Sequence, residues 1–163
     1  MLTVDQLKTY LTYDNNIGCL IWNETKNTNQ VKPGSVAGFI KKSDGYRRIK
    51  LFGKSYKASR LIWFYHNGYF PKEIDHKNGI KYDDRIENLR LATRQQQVYN
   101  TRKKKRKFQY LPKGVTFRNG KYIAYSYKNK KMVWLGRFTN IEDAAKVVKE
   151  HNTLLHGEFY REG

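Results

Sequence analysis

Hydrophobic residues recur along this chain in two rhythms, one helical and one extended. Val4, Leu7 and Leu11 are spaced to face one side of a short helix opened by Leu2-Thr3-Val4-Asp5-Gln6-Leu7, where Thr3 can cap the Gln6 amide, Gln6 can reach back and Leu2 can staple onto Leu7. After the turn residues Asp14-Asn15-Asn16 and Gly18, the apolar run Cys19-Leu20-Ile21-Trp22 predicts a strand, and a looser stretch through Pro33, Gly34 and Gly38 follows. The stretches 46–51 and 54–58 flank Phe52-Gly53 as a hairpin that exposes Arg and Lys on one face, to water or to phosphates. Residues 59–68 predict a buried helix with core aromatics, stopped by Gly68 and followed by Pro71.

The C-terminal third repeats this logic in a different order. Lys113-Gly114-Val115, residues 121–127 and residues 132–138 predict short antiparallel strands, with Asn119-Gly120 and Asn129-Lys130 as their turns. Thr139-Asn140-Ile141-Glu142 predicts a capping box, and Ile141, Ala144, Ala145, Val148 and Leu155 fall on one helical stripe until Gly157. A sheet backed by one helix is a complete minimal domain. No internal repeat is visible.

Composition narrows the choice of partner. The 163 residues carry 33 Lys and Arg against 14 Asp and Glu, a net charge of +19, which points to a polyanion and away from a freely diffusing metabolic enzyme. Hydrophobic residues at 39% and aromatics at 15% exclude a merely disordered basic arm. No apolar run is long enough for a membrane span, and the N-terminus has no signal-peptide pattern, so the expected location is inside the cell that makes the protein, not secreted. Cys19 is the single cysteine, so no zinc site can be built from cysteines and any metal must rest on His, Asp, Asn or Gln. The basic run Arg102, Lys103, Lys104, Lys105, Arg106 and Lys107 marks a linker over 101–112, either a solubilising tract or a cationic strap on phosphates. The expected domains are therefore 1–100, with a core at about 54–100, and 113–163.

The sharpest chemistry lies in Ile74-Asp75-His76-Lys77-Asn78-Gly79, Glu87-Asn88-Leu89-Arg90-Leu91-Ala92-Thr93 and Arg94-Gln95-Gln96-Gln97-Val98-Tyr99-Asn100. Thr93 with Gln96 reads as another capping box, giving the order strand, loop, strand, helix. A carboxylate beside an imidazole, facing a polar helix residue, suits one task. The carboxylate holds a divalent cation on a phosphate while neutral His76 deprotonates a water, which is phosphodiester hydrolysis. His66, His151 and His156 lie in helical stretches without neighbouring ligands and read as structural.

On these residues the chain resembles the HNH endonuclease family, of the homing type common in phages, over Lys54 to Asn100 and more loosely over 1–53. The resemblance implies a ββα-metal core with Asp75 as a ligand of Mg2+ or Mn2+, His76 as general base, and Asn88 as the residue that pins the loop carrying His76. Gln97 stands where the family usually has Asn or His as second metal ligand; it offers the same carbonyl oxygen one methylene further out.

Residues 113–159 resemble the Apetala or ethylene-response-factor type of DNA-binding domain on Gly114-Val115, Gly120-Lys121-Tyr122-Ile123-Ala124, Trp134-Leu135-Gly136-Arg137-Phe138, Ala144-Ala145 and Leu155-His156-Gly157-Glu158-Phe159. That resemblance implies a sheet laid in the major groove, with Arg118, Lys121, Tyr122, Lys128 and Trp134 toward DNA; for Trp134 packing on the helix is the other reading. Tyr127 and Met132 replace arginines of the family pattern. The expected whole is an α+β, metal-dependent endonuclease acting on double-stranded DNA through these residues and Arg47, Arg48, Arg60 and the basic run. It needs no membrane and no small-molecule cofactor, and works as a monomer or a DNA-dependent dimer. A DNA-binding protein with a decayed nuclease site and an RNA-binding module are the alternatives.

Overall fold

The computed structural model describes residues 2–23, 31–101 and 111–162, a mixed α+β chain with four α-helices and several small antiparallel sheets among them. It divides into two compact units, Met1–Thr93 and Arg94–Gly163. The basic run 102–107 and most of the expected linker lie outside the described residues. No described helix is long and apolar enough to cross a membrane.

In the first unit, helix α1 (Val4–Tyr10) carries the expected capping box, with Thr3 and Gln6 exchanging hydrogen bonds of 3.1 and 3.2 Å. The helix ends before Leu11, which opens an unexpected strand, β1 (Leu11–Asp14), paired antiparallel with β2 (Cys19–Trp22). Leu11 stays buried all the same, because an extended residue at the foot of the helix still points into the core. The short β3 (Phe39–Ile40) pairs with β4 (Arg47–Leu51), and β4 pairs with β5 (Lys54–Lys57). Phe52 and Gly53 both have positive φ, 49° and 72°, as a two-residue hairpin turn of the I′ kind requires. Helix α2 (Ala58–Asn67) stops at Gly68, whose left-handed backbone donates to the Phe64 carbonyl. Strands β6 (Ile74–His76) and β7 (Leu89–Leu91) then form a two-stranded sheet.

One core, containing Leu7, Leu11, Leu20, Ile49, Leu61, Ile62 and Leu89, binds these pieces together. Leu89 anchors the β6–β7 hairpin to it. The β4–β5 hairpin sets Arg48, Lys50 and the paired Lys57 on one face, as expected, but Arg47 does not share it. Successive residues of a strand point to opposite sides, and Ile49 and Leu51 bury the side that Arg47 shares, so Arg47 turns inward and Arg48 outward.

Helix α3 (Arg94–Tyr99) groups with the second unit, not with the expected 1–100 module. Tyr99 stacks on His156, and the Lys113 ammonium donates to the Tyr99 and Thr101 carbonyls at 3.2 Å. Strands β8 (Val115–Arg118), β9 (Lys121–Lys128) and β10 (Lys131–Phe138) form the expected sheet in the order β10-β9-β8, packed on α4 (Ile141–His156). The N-cap of α4 is Asn140, which accepts from the Glu142 amide, one residue beyond the expected Thr139. Val115, Ala124, Ala144 and Val148 make the core of this unit.

Gly38 and Gly53 offer a clean contrast in stability. Both have positive φ, but a Cβ on Gly38 would sit 2.1 Å from the Arg48 carbonyl oxygen, whereas one on Gly53 would meet nothing within 4 Å. Gly53→Ala should cost about 1–2 kcal/mol for its backbone conformation alone, and Gly38→Ala at least about 1–3 kcal/mol more for forced overpacking. Urea denaturation of the two variants checks this; equal midpoints would refute the close approach.

Candidate active site

The β6–β7 hairpin aligns Asp75 with Arg90 and His76 with Leu89, and the intervening loop is closed mainly by one side chain. Asn88 Oδ1 accepts from the Asn78 amide at 3.0 Å, while its Nδ2 donates to Asn78 Oδ1 at 3.1 Å and to the Asp83 carbonyl at 2.7 Å. The Asn88 carbonyl also takes the Lys77 amide at 2.8 Å. An amide carries donors and an acceptor on one planar group, which is why Asn can bridge both arms of the loop where Asp or Leu could not. A second tie comes from outside the loop. The Tyr13 hydroxyl accepts the Ile86 amide at 3.0 Å, and burial raises the Tyr13 pKa, so the phenol stays neutral.

His76 is 4% exposed and its Nε2 lies 3.0 Å from Oδ1 of Asp84, itself 2% exposed. A neutral imidazole that donates from Nε2 to a carboxylate carries its lone pair on Nδ1, so Asp84 selects the nitrogen that can accept a proton. The other oxygen, Asp84 Oδ2, has no hydrogen-bond partner and lies 4.0 Å from Arg47 Nε. The Tyr46 ring stands 5.9 Å from the His76 ring, and burial, with Asp75 adding to it, raises the Tyr46 pKa. Asp84 was not among the residues singled out from sequence. Its only signal there is an Asp-Asp doublet in a loop, which ordinarily means a solvated turn.

Asp75 is buried, and Arg90 places both Nε and a terminal nitrogen 2.9 Å from its Oδ2. The donors here fit a hard divalent cation. Two carboxylates flank His76, while burial raises the pKa of the single cysteine, Cys19, and keeps it a thiol. No cluster of three or more His, Cys, Asp or Glu gathers among the described residues. An ion of the Mg2+ type needs no such cluster, because it keeps its waters and binds through one or two carboxylates plus substrate phosphate.

The remaining expected site residues are spread over both units. Arg48 pairs with Asp44 at 2.6 Å, and Arg60 donates to the Pro71 carbonyl at 3.0 Å. Gln97 sits on α3, in the second unit. On the second unit's sheet, the pairing Arg118↔Lys121 and Trp134↔Tyr125 puts Arg118, Lys121 and Trp134 on the face away from α4, joined by Arg137 opposite Ile123. Trp134 is 65% exposed, so it does not pack on the helix. Tyr122 differs from expectation. It shares the parity of Ala124 and packs into the helix-side core with Phe138, and Lys128 has the same parity at the strand's end.

Residues 56–99 match a family model described as HNH endonuclease, a span that contains Asp75, His76, Asp84, Asn88 and Gln97. No curated protein and no solved structure matches the chain. The matched domain suggests a nuclease acting on nucleic acid.

The Asn88 clamp is open to a direct test. Asn88→Ala removes three side-chain hydrogen bonds, and at about 1 kcal/mol each should cost roughly 2–3 kcal/mol in urea denaturation. Asn88→Asp, although isosteric, should cost at least as much, because it sets a carboxylate against the Asp83 carbonyl and Asn78 Oδ1. A near-neutral Asn88→Asp would rule out the clamp.

Proposed function

We propose that the chain is a metal-dependent DNA endonuclease in which His76 deprotonates the attacking water. The observation that carries this reading is the buried Asp84–His76 contact, which directs the imidazole proton to Nε2 and the lone pair to Nδ1. Nδ1 takes a proton from water; the hydroxide oxygen bonds to phosphorus, the P–O bond to the leaving sugar oxygen breaks, and Asp84 stabilises the imidazolium formed. Asp75, aimed by Arg90, would hold the divalent cation. The cation, when bound, supplies charge neutralisation on the phosphate. Arg118, Lys121, Trp134 and Arg137 on the open sheet face of the second unit are the residues we assign to duplex contact, in the manner of an Apetala-type sheet.

A second reading has one observation in its favour. The guanidinium on Asp75 already satisfies part of the charge that a cation would use, as a binding protein with a silent nuclease site would show.

Cleavage of plasmid DNA with Mg2+ and with chelator separates the two. Wild-type chain should cut only with metal, and His76→Ala should lower the rate by about 10²-fold or more, roughly 2.7 kcal/mol, with DNA affinity unchanged. Near-normal cutting by that variant would remove His76 as the base; no cutting by wild type in any divalent metal favours the binding protein.

Asp84 is a positioning residue, and its role predicts a spectroscopic signature. Ring 15N shifts should show the Nε2–H tautomer for neutral His76 in the wild type. Asp84→Ala should mix the tautomers and lower kcat with little change in KM, and Asp84→Asn, which keeps an acceptor oxygen, should recover part of both. Unchanged ring shifts in Asp84→Ala would sink this role.

A further inference from the structure

Beside His76 lies a cavity of about 230 Å3 whose wall carries Arg48, Lys57, Arg60 and Lys72 against a single carboxylate, Glu73. Even with the Arg48 partner Asp44 counted, positive charge is in excess. The cations are also crowded: Lys57 lies 3.9 Å above the Tyr46 ring, and its pKa is lowered by burial and by the neighbouring Arg48. Holding like charges together in a half-buried space is unfavourable unless an anion joins them.

The cavity wall has a second anion-seeking feature. Helix α2 begins there, and its N-cap residue, Lys57, makes no side-chain capping hydrogen bond. The first turn is nevertheless withdrawn from water, with Ala58 1% and Ser59 2% exposed. The opening amides of a helix have no intrahelical acceptor, and a buried start without a cap calls for an outside one. Ser59 also lines the cavity. Tyr46 is shared between the cavity wall and the His76 ring, and Ile74 of the wall is on the strand that carries His76.

We propose that this cavity is a subsite for a non-scissile backbone phosphate of the bound nucleic acid, received by Lys57, Lys72, Arg48 and Arg60 at the start of α2. The assignment rests on the nuclease reading for its substrate class. It deepens that reading by giving the strand a second anchoring point, so that the scissile phosphate is positioned by its neighbour as well as by a cation.

The test uses the full chain, inorganic phosphate as the small probe, and duplex DNA. Titration with inorganic phosphate at constant ionic strength should shift the amide resonances of Ala58, Ser59 and Arg60 to saturation in the wild type, and the double variant Lys57→Met, Lys72→Met should abolish the shift. A control, Lys41→Met with Lys42→Met, removes equal charge from an exposed turn of the same unit and should leave the shift intact. For duplex DNA, the Lys57/Lys72 variant should lower the slope of log K against log salt by roughly 0.9, one phosphate's worth. Amide shifts with an unchanged DNA slope would mean a free-phosphate site and overturn the backbone assignment. Absent shifts, or equal losses in the control, would overturn the subsite itself. Cleavage is read separately in the plasmid assay, so a wild-type chain that shows both effects here yet cuts nothing there defeats only the nuclease reading.

Discussion

A carboxylate 2% exposed, with one oxygen against an imidazole, is the contact around which the first unit is organised. Removing an ion from water costs several kcal/mol, and an unpaired one is not tolerated. Asp84 is therefore held from two directions, by His76 of β6 and, more distantly, by Arg47 of β4. This explains why Arg47 turns away from solvent although its strand lies on a hairpin rich in cations. It also explains the tight loop. The segment between β6 and β7 must return Asp84 to the ring of His76, and the Asn88 amide with the Tyr13 hydroxyl fixes that return. Leu89 joins the site to the apolar core, so the geometry of the imidazole depends on burial throughout the unit.

Charge is handled in opposite ways on the two sides of Tyr46. On the His76 side each carboxylate has a cation near it, Arg90 at Asp75 and Arg47 at Asp84. On the other side cations outnumber carboxylates and share a concave space. The first arrangement leaves little net charge around the His76 ring. The second leaves a local surplus. A phosphodiester strand carries one charge per phosphate, and on the function proposed above the surplus would attract it while the balanced side meets the scissile group.

The second unit spends its residues differently. Its core is small, Val115, Ala124, Ala144 and Val148, supplemented by a buried hydrogen bond between Ser126 and Asn152. The cost of so small a core is limited by strong turn chemistry. Asn119-Gly120 and Asn129-Lys130 adopt the paired positive φ values that fit tight hairpins, so register is set locally. With register set, the pleat decides which side chains face outward, and the result is a face combining Arg118, Lys121 and Arg137 with Trp134.

Local features were legible in the amino-acid order. The Thr3–Gln6 box, the Phe52-Gly53 turn, the Gly68 stop and the strand-loop-strand order around Asp75, His76 and Asn88 each depend on residues a few positions apart, and short-range hydrogen bonding with backbone preference suffices to specify them. Tertiary structure decided what distance in the chain conceals. That Asp84 meets His76, that Arg47 faces inward while Arg48 faces the cavity, that Tyr122 belongs to a core and that α3 groups with the second unit all follow from packing between segments far apart. An Asp-Asp doublet reads as a solvated turn until burial removes the water, and only the folded chain supplies the partners that make such burial affordable.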